Sequence, residues 1–209
     1  RRDLAEPYAL TALLSPGHVF RRMYDILRRD WRYREYCIAQ ALSGMANLMV
    51  LAVVVVTITR GLPVGDDWGF WVATGLTQSL ERLAMLASLR RWGRLFDRAG
   101  VLRFRVVNVC CFSLALVFGL GGTLTVAFAE GVGTAFLPIA VSLFAAYSIL
   151  HGLGLGGGAL AWNLGHLHFA RGDEAEIYMG IHVSLTGLRG LVAPLIGMWL
   201  FRTIGWPVW

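Results

Sequence analysis

The chain has no lysine. All 19 of its basic residues are arginine, a uniform choice read as a GC-rich coding bias rather than as a function. Charge of either sign is scarce. Charged residues make up 15% of the chain, against about 25% in an ordinary soluble domain, while hydrophobic residues reach 56%. Mean hydropathy is +0.59. The few charges are clustered, and long apolar runs lie between the clusters. That distribution excludes an ordinary soluble domain and fits a chain solvated by a bilayer. Cysteine is scarce too. Cys37, Cys110 and Cys111 offer neither a CxxC nor a Cys/His spacing, so they read as buried free thiols and imply no metal or cofactor. There is no cleavable signal pattern, and both ends read as cuts within a longer protein. The net charge of +6 does not point to nucleic acid, because the arginines flank apolar segments.

What is present is a series of apolar runs of membrane-crossing length. Five spans are expected, at about 36–59, 68–88, 106–129, 135–161 and 177–201, and the last residues, Gly205 to Trp209, read as the start of a sixth. Each has roughly the 20 residues that cross ~30 Å of hydrocarbon at a rise of about 1.5 Å per residue. Barrel strands are a poor alternative, since the runs are too long and do not alternate. The fold class is therefore an all-α membrane protein, a helical bundle of five transmembrane helices plus the start of a sixth. Residues 1–35 form a basic segment with eight arginines, read as a cytoplasmic linker; His18 to Tyr36 carries a partly amphipathic helical pattern.

Arginine bias sets the expected orientation. The N-terminal segment and the loop from Arg90 to Arg105 are rich in arginine, whereas the loop Gly61 to Asp67 carries two aspartates and the loop Glu130 to Gly133 carries no base. Cationic loops stay on the cytoplasmic side. The N-terminal segment and the loops after the second and fourth spans are accordingly expected in the cytoplasm, in a multi-pass protein of the bacterial inner membrane.

The loop after the second span reads Gly93-Arg94-Leu95-Phe96-Asp97-Arg98-Ala99-Gly100-Val101-Leu102-Arg103. Glycines at 93 and 100 permit tight turns and close helix approach. Asp97 is suited to accept hydrogen bonds from a helix N-terminus or to pair with a nearby arginine. The plainer alternative is a solvated basic loop that only sets topology. This loop resembles the G-x-L-x-D-R-x-G-x-x-R signature of the major facilitator superfamily, carried by Gly93, Leu95, Asp97, Arg98, Gly100 and Arg103. Its place, after the second helix of a six-helix half, matches as well. The stretch Gly190 to Gly197, with Pro194, is similar to a Gly/Pro-bearing helix of the same superfamily. The resemblance implies half of that fold, with the other transporter half as partner. Ser148 stands where the N-terminal half often has arginine, and the long basic lead-in is similar to the central loop, so the C-terminal half is favoured.

Polar residues at membrane depth are functional candidates by default. Thr74, Gln78, Glu81 and Arg82 fall on one face of the second span, His182, Thr186 and Arg189 on one face of the fifth, and Gln40, Ser43 and Asn47 on one face of the first. Facing a common interior, such stripes line an aqueous path. Arg189, Glu81, Arg82, Asn47, Gln78 and His182 are the substrate or coupling candidates; Glu81 or an anionic substrate is the expected partner of Arg189. Each of these residues is also open to a purely packed role. Glycines 152, 154, 156, 157 and 158 make small-xxx-small pairs in the fourth span, which permit close helix packing. They lack a following Lys-Ser/Thr, so no phosphate loop is implied. His166 and His168, with Asp173 and Glu174, read better as a wet loop than as a metal set. The expected function is secondary active transport of a small solute by alternating access, with the bilayer and the solute as partners, no enzyme activity and no cofactor. A membrane-embedded enzyme or a non-transporting scaffold or sensor are the alternatives.

Overall fold

The computed structural model describes residues 16–62, 66–129, 134–170 and 174–204. Among these almost every residue is helical. In chain order the elements are α1 (Pro16–Arg29), α2 (Trp31–Gly61), α3 (Asp66–Thr74), a π-helical turn (Gly75–Leu80), α4 (Glu81–Ala127), α5 (Leu137–Leu164), a 3-10 turn (Gly165–His168) and α6 (Ala175–Ile204). Four stretches, Trp31–Thr59, Trp68–Ala127, Leu137–His168 and Ala175–Leu200, are long and apolar enough to cross a membrane. Much of their apolar surface has no protein cover. Leu191 and Leu195 are 69% and 67% exposed, which suits helices solvated by lipid.

Only one break interrupts α4. Gly100 has φ 72 and ψ 165, a conformation open to glycine and disfavoured for other residues. The chain reverses there. The Phe104 ring packs edge-on against both Trp92 and Phe96, with centroids 5.2 Å apart in each pair. In an unbroken helix residues 92 and 104 would stand about 18 Å apart. The two arms, 81–99 and 101–127, therefore lie antiparallel, and both pack along α5. The loop expected over Arg90–Arg105 is in fact helix on either side of a one-residue hinge. Arginine and leucine are good helix formers, and Val101 and Phe104 bury in the hairpin, so nothing in that segment favours a longer loop.

Other boundaries shift less. The first apolar helix begins at Trp31 rather than 36, because Asp30 caps it by accepting a hydrogen bond from the Tyr33 backbone N–H at 3.0 Å. Part of the segment expected as linker is thus helical: α1 packs Met23, Ile26 and Leu27 into a cluster with Tyr33, Tyr178 and Ile181. The fourth and fifth apolar helices run Leu137–Leu164 and Ala175–Ile204. The start of a sixth span, at 205–209, and the first half of the N-terminal segment, at 1–15, lie outside the described residues.

The Gly100 hairpin tip, α1, the start of α2, the end of α5 and the start of α6 all gather at one end of the bundle. Tyr33 donates its hydroxyl to the Tyr178 carbonyl at 2.5 Å, Tyr36 donates to the Ala161 carbonyl at 2.9 Å, and Arg29 pairs with Glu174 at 2.6 Å. The Glu174 carboxylate raises the Arg29 pKa above its ordinary value. Arg21, Arg22, Arg28, Arg29, Arg32 and Arg34 share this end with the six arginines of the hairpin. The far end holds a separate apolar cluster built on Val54, Ile58, Ala115, Phe144 and Tyr147.

Close approach of α5 to both arms is what its glycines allow. A Cβ at Gly152 would overlap the Glu81 backbone carbonyl, and one at Gly157 would press on Trp92 and the Asn108 amide. Side chains tie the contact down: Trp92 Nε1 donates to the Leu153 carbonyl at 2.8 Å and Asn108 Nδ2 to the Gly154 carbonyl at 2.6 Å. Such bonds across membrane helices are worth about 0.6 kcal/mol each on average. Of the three thiols, Cys37 is buried and Cys111 half-buried, whereas Cys110 is exposed.

Candidate functional site

Polar side chains from α2, α4, α5 and α6 converge on one cavity of about 550 Å³. From α2 come Gln40, Ser43 and Asn47, spaced so that one helix face carries all three. Thr186 and Arg189 enter from α6, Arg82 and Arg105 from the two arms of α4, and Trp162 and Asn163 from α5. Its volume falls within the range of about 300–1,000 Å³ usual for small-molecule pockets.

Arg189 lies about 21 Å along α6 from Ala175. Its guanidinium lies across Gly44, where a Cβ would overlap it, and Nη1 donates to the Gln40 carbonyl at 2.8 Å. Its Nε is buried and has no partner among the described residues. Arg105 donates to the Asn108 amide oxygen at 2.9 Å and to the Gln40 side-chain oxygen. The Gln40 amide nitrogen in turn donates to the Tyr36 hydroxyl at 3.0 Å. Gln40 thus holds both guanidiniums, one through its backbone and one through its side chain. Arg82 is exposed at the cavity, and among the described residues its side chain hydrogen-bonds the Met85 sulfur, at 3.8 Å.

The other sequence candidates stand elsewhere. Glu81 is buried and lies 2.8 Å from His151 Nδ1 on α5, and it does not line the cavity that Arg189 enters. Gln78 is exposed and lines no part of this cavity. The cause is the π-turn. Gly75–Leu80 changes the helical register immediately before Glu81, so Thr74, Gln78, Glu81 and Arg82 do not share the face that a uniform period of 3.6 gives them. His182 is buried behind the cavity, with its ring against Tyr36 and Trp162 at centroid distances of 6.4 and 5.6 Å. Its Nε2 has no partner among the described residues.

The motif residues sit on the hairpin. Gly100 makes the turn. Gly93 lies inside the helix with open space beside it, so no close approach depends on it. Leu95 packs against the Trp92, Phe104 and Ala161 cluster. Asp97, Arg98 and Arg103 are exposed, and none makes an ion pair among the described residues. Among the described residues no three His, Cys, Asp or Glu side chains converge as metal ligands.

Arg105, Trp162 and Asn163 are polar cavity residues that sequence reasoning missed. Arg105 was masked by its neighbours, being the last of six arginines that together signal topology. The available signal was its position five residues beyond the Gly100 turn, where the apolar run begins. A second and larger cavity, about 990 Å³, opens at the Gly100 end and is lined by Arg32, Glu35, Tyr36 and His168. Arg105 borders both cavities.

No family model, curated protein or solved structure matches this chain. The functional reading therefore rests on the site itself.

Proposed function

We propose that this protein is a secondary active transporter of a small solute, working by alternating access, and that its chain forms part of one half, the C-terminal one, of a major-facilitator-type fold: five spans and the start of a sixth. The observation that carries the reading is the cavity at membrane depth, into which polar residues of four apolar helices converge. A helix that only packs against lipid gains nothing from Gln40, Ser43, Asn47, Thr186 and Arg189, and intramembrane polar groups mark solute pathways. The Gly100 hairpin supports the same reading, because it divides α4 into two crossings and raises the count from four to five. The G-x-L-x-D-R-x-G-x-x-R resemblance then falls on the tip between the second and third crossings. With both arginine clusters at that end, it faces the cytoplasm of the cell whose inner membrane holds the protein.

In this reading the larger cavity is the cytoplasmic vestibule and the smaller one is the solute site. Alternating access follows when this bundle rocks against the second half about the site. The experiment is uptake into proteoliposomes of the purified full-length protein. Accumulation of a labelled solute, abolished by Arg189→Ala with insertion unchanged, supports transport. A protein that folds and inserts but moves none of a broad panel of organic anions, sugars and amines argues for a scaffold or sensor.

A further inference from the structure

We propose that the cavity between α2, α4, α5 and α6 binds an oxyanion, a carboxylate- or phosphate-bearing solute, through the guanidiniums of Arg189 and Arg105 with Arg82 at its margin. The inference deepens the transport reading and depends on it only for calling the ligand a transported solute.

The charge balance of the cavity is one-sided. Three arginines line it, and none of its described lining residues is acidic. The Arg29–Glu174 ion pair and the hydrogen-bonded His151–Glu81 pair do not reach it. Glu81 is the carboxylate nearest to Arg82 in sequence, and it is taken by His151. Among the described residues, Arg189 and Arg105 hydrogen-bond neutral oxygens alone, from the Gln40 backbone, the Gln40 amide and the Asn108 amide. These bonds orient the guanidiniums and leave their charge uncompensated.

A guanidinium cannot shed its proton to escape that situation. Desolvated charges that are left unpaired are costly. A polypeptide that placed these groups only for structure would be expected to supply an acid, as Glu174 does for Arg29. The buried Nε of Arg189 is a donor without an acceptor among the described residues, beside an Nη1 already used by Gln40. A planar carboxylate or a phosphate is the shape that a guanidinium fork takes up in two bonds. Ser43, Asn47 and Thr186 supply neutral hydrogen-bonding groups around the remaining surface of such a ligand. A cationic solute would meet only like charge there, and a neutral sugar would leave the charge unbalanced.

The test uses the full-length protein in nanodiscs of phosphatidylcholine, with phenylglyoxal as an arginine reagent and residue-resolved mass spectrometry as the readout. The probes are inorganic phosphate, succinate and citrate, with glucose and putrescine as neutral and cationic comparisons. The expected result is that at least one anion slows modification of Arg189 and Arg105 severalfold while Arg21 and Arg22 react unchanged, and that glucose and putrescine protect neither. Arg105→Gln is expected to weaken the protection of Arg189 by about tenfold in anion concentration, the size of one charge-assisted hydrogen bond. Equal reactivity of Arg189 and Arg105 with and without all three anions overturns the proposal. Protection that appears only when phosphatidylglycerol is added to the bilayer assigns the cavity to a lipid headgroup and overturns the solute reading. Anion protection without uptake of the same labelled anion into proteoliposomes keeps the oxyanion site and removes transport. Uptake of glucose or putrescine that is indifferent to anions and to Arg189→Gln keeps transport and overturns the oxyanion site.

Discussion

His151 Nδ1 and the Glu81 carboxylate lie 2.8 Å apart, with side chains only 5% and 4% exposed, between α5 and the first arm of α4. Tyr147 stacks on the imidazole at 5.3 Å with its plane tilted 16°, and Phe112 meets it edge-on at 5.4 Å. Glu81 follows directly on the π-turn, and Gly152 gives its backbone room against α5. Removing one member of a buried, hydrogen-bonded pair strands the other. Glu81→Ala is therefore expected to destabilise the protein by about 3–5 kcal/mol if the pair is ionic. The double variant Glu81→Leu/His151→Leu is expected to recover much of that loss, because no polar group is left stranded. Thermal unfolding in detergent reads both. Equal loss in the single and double variants would show that the pair contributes packing and not charge compensation.

Helix packing gives a sharper contrast within α5. A Cβ at Gly152 would overlap the Glu81 carbonyl, whereas one at Gly158 would meet Phe112 at 3.8 Å, ordinary van der Waals contact. Gly152→Ala is expected to cost about 1–3 kcal/mol. Gly158→Ala is expected to be neutral or slightly stabilising, since alanine is the better helix former. Unfolding temperatures of the two variants, side by side, decide it; a tolerant position 152 would mean that α5 and the first arm stand further apart than the backbone contact implies.

Much of the cavity was legible in the sequence, for an identifiable reason. Gln40, Ser43 and Asn47, or Thr186 and Arg189, share a face whenever their own helix is regular, so the period of 3.6 is sufficient evidence. Glu81 and Gln78 were misplaced because their face depends on the π-turn at Gly75–Leu80, and no residue in Gly-Leu-Thr-Gln-Ser-Leu announces an extra residue per turn. The Glu81 partner lies 70 residues away, a contact fixed by how α5 docks and not by local pattern. Glycines in α5 correctly signalled a close neighbour without saying which helix it is. The extent of the hinge was hidden as well: Arg90–Arg105 has the charge of a loop and the propensity of a helix, and only Gly100 breaks it.

Topology is tested by cysteine labelling in a background free of Cys37, Cys110 and Cys111. A cysteine replacing Gly65 is expected to react with a membrane-impermeant maleimide in intact cells. One replacing Ala99, beside the hinge, is expected to react only after permeabilisation. The arginines gathered at the Gly100 end motivate this orientation, and the opposite labelling pattern would invert it.

Asp97 stands three residues before the hinge, exposed, on the same hairpin as Arg94, Arg98 and Arg103. No ion pair within the described residues uses its carboxylate. A charge held at a hairpin tip with no ion-pair partner among the described residues is free to engage a helix end of the second half proposed above, where a carboxylate is favoured by the N-terminal dipole. Asp97→Asn keeps the side-chain shape and one hydrogen-bond acceptor while removing the charge. Loss of one charge-assisted contact is worth about tenfold, so the initial rate of uptake is expected to fall by about that factor. Insertion and unfolding temperature should stay as in the parent protein, because the carboxylate makes no hydrogen bond or ion pair among the described residues. The arginine labelling of Arg189 and Arg105 should also be unchanged, which separates a latch at the hairpin from damage to the cavity. Asp97→Glu, which restores the charge one methylene further out, is expected to recover part of the rate. Unchanged uptake in Asp97→Asn would reduce the hairpin tip to a topological signal, leaving its arginines to hold it on one side of the membrane and nothing more.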